Sequence, residues 1–253
     1  MPLFRGIKVR GLAMNAKAMT GWFLILGPIL SMLFWMTSPV GLLGETAGEG
    51  TAQESIAALA GNADWAEYSA VLILLGMVIW LVGWSGVKSS MSGGSAVHWA
   101  GAGLWSLAIA VAVWAVGSGA LAAIPETMAL SAEAAAGAAA AAAAGQEAAA
   151  AAAAAGATAA AGTAGTLWAV SEGLDGIGSI FAPLAMLLFS YAFLQQKNYS
   201  QAIAGAGILI GAINVVFGVL GSDVINTSVQ GIGFMLISVW SIWIGVTVLR
   251  SKA

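Results

Sequence analysis

Few side chains in this sequence are equipped to make or break bonds. There is one histidine, His98, and no cysteine, so no histidine cluster or thiolate set can hold a metal, a haem or an iron–sulfur cluster. No nucleophile stands beside a base in a catalytic spacing. The glycine-rich strings follow no strand and match no phosphate-binding loop. The reading is a protein without catalytic activity and without a cofactor. What remains is polar contact and packing. Asn214 is the strongly polar side chain set deepest in the later apolar stretches, where an amide either bonds across a helix interface or lines a pore. His98 opens another stretch, a place for an interfacial hydrogen bond or, less simply, a gate. Gly101, Gly103, Gly205, Gly207 and Gly211 are candidates for close helix packing, and Gly207-x-x-x-Gly211 is a small-x-x-x-small step that lets two backbones approach.

The elements that carry these residues follow from composition and charge order. Of 253 residues 60% are hydrophobic and 8% charged, against about 25% charged in a soluble domain. Read in order, the charges form seven blocks of alternating sign: Arg5 to Lys17, Glu45 to Glu67, Lys88, Glu126 to Asp175, Lys197, Asp223, and Arg250 with Lys252. Each of the six sign changes brackets an apolar run, at 21–37, 68–87, 97–124, 177–194, 202–220 and 229–249. A helix rising about 1.5 Å per residue needs about 20 residues to cross a hydrocarbon layer of about 30 Å, and all six runs are near that length.

Threading the runs back and forth gathers all eight Lys and Arg on one side and all eleven Asp and Glu on the other. By the positive-inside rule the basic side is cytoplasmic. The expected fold is therefore all-α: a polytopic protein of the cell membrane with six transmembrane helices and both termini inside. Residues 1–20 form a cytoplasmic N-terminal segment, and residues 21–253 the membrane domain. The first run is longer than the apolar core of a secretory signal and no A-x-A-like site follows Thr37, so it reads as an uncleaved helix.

Tryptophans mark the boundaries, with Trp22, Trp84 and Trp99 at the cytoplasmic edge and Trp35, Trp65 and Trp168 at the external one. Trp80, Trp105, Trp240 and Trp243 fall deeper, as packing or lipid-facing bulk. Residues 131–165 are almost entirely alanine, the strongest helix former. They read as an external helical hairpin between the third and fourth spans, with Ser131 as an N-cap and Gly145 as a break. An echo at an offset of 104 aligns Ala100-Gly101-Ala102-Gly103 with Ala204-Gly205-Ala206-Gly207, as if spans two and three were duplicated in spans four and five. Pro28 and Pro183 lie within the first and fourth spans, where each frees a backbone carbonyl that a neighbour must satisfy.

No charged residue lies deep in any run, which argues against proton-coupled transporters, pumps and voltage sensors. The first functional expectation is a membrane scaffold or accessory subunit, packed through its Gly- and Ala-rich faces against other membrane subunits or a second copy of itself, with the lipid bilayer as its constant partner. The alternative is a passive channel for a small neutral solute. The acidic external loops could steer a cationic partner. The basic residues are too few and scattered for nucleic acid, and Asn226-Thr227-Ser228 is a formal glycosylation sequon.

Overall fold

A computed structural model describes residues 15–47, 50–221 and 227–251. The basic residues Arg5, Lys8, Arg10 and Lys252, together with Asp223 and the sequon residue Asn226, lie outside the described residues. Within them the chain is all-α, without a strand. Its helices are α1 (Ala16–Thr37), α2 (Ala52–Gly61), α3 (Ala63–Ser89), α4 (Gly94–Ala122), α5 (Ile124–Ala143), α6 (Glu147–Gln196), α7 (Gln201–Leu220) and α8 (Thr227–Arg250). Six are long and apolar enough to cross a membrane: α1, α3, α4 with its continuation α5, α6, α7 and α8. Each contains or closely matches one of the six runs. The short α2 has no counterpart among the runs; a capping box starts it, with the Thr51 N–H and hydroxyl donating to Glu54 Oε2 (2.8 Å each).

Contacts between helices trace a closed ring. Helix α1 packs on α3, α3 on α4, α4 on α6, α6 on α7, α7 on α8, and α8 returns to α1. Short connections between apolar helices favour antiparallel neighbours, and the ring follows chain order throughout. The two ends of the ring can be told apart by side-chain contacts. At one end the Lys17 ammonium of α1 donates to the Ser251 carbonyl just beyond α8, and Gln196 Nε2 at the end of α6 donates to Ser92 Oγ before α4 (3.1 Å). At the other, Asn62 Nδ2 donates to Glu45 Oε1 (3.0 Å) and Trp65 Nε1 to the Thr37 carbonyl (2.6 Å). Lys17, Lys88, Lys197 and Arg250 all belong to the first end.

Glycines set how closely the ring closes. A Cβ at Gly27 would meet the Trp80 backbone, and one at Gly83 would meet the Leu24 backbone at 2.9 Å, so α1 and α3 touch main chain to main chain. Helix α7 lies along α6 on a stripe of three glycines. Gly207 faces Ser190, Gly211 faces Leu187 and the Pro183 carbonyl, and Gly218 faces the Ser179 carbonyl. Gly103 faces Phe189 and the Ala185 carbonyl of α6. Gly101 and Gly205 have no atom within 4 Å of a Cβ position. The geometry of a helix accounts for the split: residues two apart lie about 200° apart around the axis, so one glycine of each Gly-Ala-Gly step turns away from the neighbour that the other meets. In the aligned pairs, Gly101 and Gly205 both face open space and Gly103 and Gly207 both meet α6, through different side chains.

Of the two helix-breaking prolines, Pro28 is compensated by a hydrogen bond from a neighbouring helix. Pro28 cannot donate to the Leu24 carbonyl four residues earlier. That carbonyl accepts from Ser241 Oγ of α8 (3.2 Å), and Ser241 Oγ accepts in turn from Trp80 Nε1 of α3 (2.7 Å). Pro183 likewise frees the Ser179 carbonyl, which faces the bare Cα of Gly218.

Beyond Ala122 the chain turns at Ala123 and continues as α5, with Pro125 in the first turn. Proline is tolerated there, and it disfavours helical geometry in the residue before it. Helix α5 therefore begins seven residues before Ser131, which is not an N-cap: its hydroxyl donates across the hairpin to the Ala157 carbonyl of α6 (2.9 Å). Gly145, at φ +72°, makes the turn back into α6. At about 1.5 Å per residue the 50-residue α6 is about 75 Å long, well over twice a hydrocarbon layer.

Candidate functional site

The interior of the ring is divided into a plug and a cavity. Toward the basic end, Trp84 of α3 stacks on Trp240 of α8 (centroids 5.2 Å apart) and packs against Phe189 of α6 (4.4 Å). Phe193 lies beside them, 6.1 Å from Trp240. Helices α3, α6 and α8 are not neighbours in the ring, so these rings meet across its centre and fill it. Trp240 is pinned by its Nε1–H, which donates to the Ile203 carbonyl of α7 (2.9 Å). Trp84, expected at the membrane edge, is 2% exposed, as are Trp80 and Trp240. Trp105 and Trp243 face outward, and so do Trp22 and Trp99.

Toward the acidic end the ring holds a cavity of about 410 Å³. Its floor is Met77, Trp114 and Phe234, and Trp80 lies against Phe234 just below. Its walls carry hydroxyls from several helices: Ser31 of α1, Ser55 of α2, Ser69 of α3, Ser118 of α4, and Ser171 and Ser179 of α6. Helix α2 and the segment before it contribute Thr46, Ser55 and Leu59 at the mouth. Trp35 and Trp168 complete an aromatic lining.

Two carboxylates stand in this wall, Glu172 and Asp175 of α6. They lie three residues apart, on the same helix face. Trp114 Nε1 donates to Asp175 Oδ1 (2.9 Å). Gly178, one turn further along α6, makes that bond possible, because a Cβ there would collide with the Trp114 indole. Several of the serines spend their hydroxyls on their own helices: Ser31 donates to the Gly27 carbonyl (3.1 Å) and Ser69 to the Ala66 carbonyl (3.1 Å). Ser55 and Ser171 are 3% and 7% exposed, and among the described residues neither side chain has a hydrogen-bond partner.

Of the residues singled out in the sequence, Asn214 comes nearest to this site. It is buried in α7, where its Nδ2 donates to the Ile210 carbonyl (2.9 Å) and its carboxamide packs on Gly233 of α8. It lines a hollow of about 40 Å³ that shares Trp114, Ser179 and Phe234 with the larger cavity. His98 is exposed in the first turn of α4 at the basic end, away from the cavity. Of the glycine candidates, Gly103, Gly207 and Gly211 meet α6 while Gly101 and Gly205 meet no neighbour, and none of the five lines the cavity. Among the described residues, no group of three or more His, Asp or Glu comes together as metal ligands.

Sequence reasoning does not single out Glu172, Asp175 and the serines as a site. A signal is present, because Ser171, Asp175 and Ser179 recur every four residues and mark a polar stripe entering the fourth run. Two titratable groups outside the spans have shifted equilibria. Burial against Phe193, whose ring centroid is 4.1 Å away, pushes the Tyr199 phenol up to about 12. Hydrogen bonds from Thr51 hold the Glu54 carboxyl below its ordinary value.

An all-α ring of six apolar helices around a one-ended polar and aromatic cavity defines a class by architecture. Compared with known proteins, the chain matches no family model, no curated protein and no solved structure.

Proposed function

We propose that the chain is a multi-pass protein of the cell membrane that admits a small solute from its acidic, external side into the ring, with both termini in the cytoplasm and no catalytic activity of its own. The observation that carries this reading is the cavity of about 410 Å³, within the range of about 300–1,000 Å³ common to small-molecule sites. The aromatic plug beneath it supports a closed solute path, one whose opening requires Trp84 and Trp240 to part. This is a gated form of the channel that the sequence offers as the alternative to a scaffold. The bilayer remains its constant partner.

The chain has no cysteine, so a single Ser118→Cys variant reports on the cavity without background. A membrane-impermeant thiol reagent applied from the acidic side is expected to modify it; absence of modification in folded protein overturns the reading. Flux is measured separately in proteoliposomes. Rates equal to those of empty vesicles for a panel of small solutes, in wild type and in Trp84→Ala, would remove the conducting role.

A scaffold or accessory subunit is the second reading, favoured by the exposed alanine surface of α5 and the first part of α6. Mild-detergent purification with mass spectrometry of co-eluting chains tests it. Recovery of this polypeptide alone counts against a stable partner.

A further inference from the structure

We infer that the cavity selects an organic cation: an ammonium group held at Asp175 and Glu172, with its apolar body against the aromatic walls. The inference rests on the vestibule reading above and deepens it. Asp175 and Glu172 bring two carboxyl groups into one wall of the cavity. The described basic residues all stand at the opposite end of the ring. Asp175 accepts from Trp114, a neutral donor, and that bond uses Oδ1. A pair of carboxylates beside low-dielectric aromatic walls is costly without an opposite charge, and nothing described in the protein supplies one. A ligand would.

The rest of the lining fits the same ligand. Trp35, Trp114, Trp168 and Phe234 line the cavity, and aromatic rings attract ammonium groups, increasingly so where water is excluded. Ser55 and Ser171, each more than nine-tenths buried and without a side-chain hydrogen bond among the described residues, provide hydroxyls for a polar substituent. The volume is far larger than a bare metal ion requires. Without a third His, Asp or Glu beside them among the described residues, the two acids suit a diffuse organic charge better than a divalent metal.

The reporter is again Ser118→Cys in the full-length protein, reconstituted in nanodiscs. Its rates of modification by cationic trimethylammonium-ethyl methanethiosulfonate and by anionic sulfonatoethyl methanethiosulfonate are each normalised to the same reagent's rate with free thiol. The cationic reagent is expected to be favoured by about tenfold or more. Choline should slow its attack, while neohexanol, in which carbon replaces the ammonium nitrogen, should not. Adding Asp175→Asn keeps the acceptor for Trp114 and should abolish most of both effects. Glu133→Gln, on the distant hairpin, should change neither. Equal normalised rates, equal protection by choline and neohexanol, or a preference that survives Asp175→Asn with Glu172→Gln would each overturn the cation assignment and leave the vestibule standing. Failure of both reagents to modify the thiol introduced at position 118 overturns the vestibule and the inference together.

Discussion

Ser241 joins three helices through one hydroxyl, which accepts from Trp80 of α3 and donates to the Leu24 carbonyl that Pro28 leaves free in α1. Replacing Ser241 with alanine strands a buried donor and a buried acceptor together. A buried polar group without a partner costs about 1–3 kcal/mol, so Ser241→Ala should lower the detergent melting temperature clearly; Pro28→Ala in the same background should recover part of the loss by restoring the helix's own bond. Tyr199 makes a prediction about pH. Its phenol ionises near 12 when folded and near 10 when unfolded. Its contribution to stability is therefore intact below about pH 10 and is lost as the pH climbs toward 12, where the unfolded chain gives up the proton first. Ultraviolet titration of wild type against Tyr199→Phe should show one phenol ionising only near pH 12, and ionisation near pH 10 would contradict its burial. At this scale the sequence is only partly readable. The prolines announce that carbonyls will be freed, but the side chain that satisfies Leu24 comes from 217 residues away, a distance no local pattern encodes.

Helix by helix, small residues decide which faces meet. Gly207 lies against Ser190 and the Trp240 ring, whereas Gly205 faces open space. Gly207→Leu should therefore push α7 off α6 and destabilise the ring by about 1–3 kcal/mol or more. Gly205→Leu should change stability by about 0.5 kcal/mol or less, and thermal melts of the pair read the difference directly. Equal effects would mean that α7 is rotated about its axis. The six apolar runs are legible because charge sign changes across each of them, a signal that survives any detail of packing. Helix rotation is less so. A Gly-Ala-Gly step marks a helix as close-packed without saying which glycine makes the contact, and α1 carries its contact at Gly27, beside the proline, outside any such step. The hairpin is readable from alanine content. Its start is not, because Pro125, in the first turn of α5, marks the helix origin more reliably than Ser131 does.

For the molecule as a whole, the proposed solute path rests on the division of the ring into a plugged half and a hollow half. The cavity draws on α1, α2, α3, α4, α6 and α8, with two to five residues from each. No single segment carries its pattern, and only the polar stripe at Ser171, Asp175 and Ser179 hints at it. The distal alanine hairpin is mostly exposed and stands apart from the core that fills the ring. Replacing residues 134–155 with a short Gly/Ser turn should reduce helical circular dichroism yet shift the melting temperature by only about 3 °C or less. Collapse of the bundle would show that the hairpin holds the ring together. The arrangement as a whole depends on the two ends of the ring facing opposite sides of a membrane, and sidedness can be measured outright. Single cysteines replacing Lys88, Lys197 and Asp64 in the otherwise cysteine-free chain would be probed with a membrane-impermeant maleimide in sealed vesicles of both orientations. Positions 88 and 197 should react from one side and position 64 from the other; reaction of position 197 from the same side as position 64 would contradict the six-helix ring crossing a bilayer.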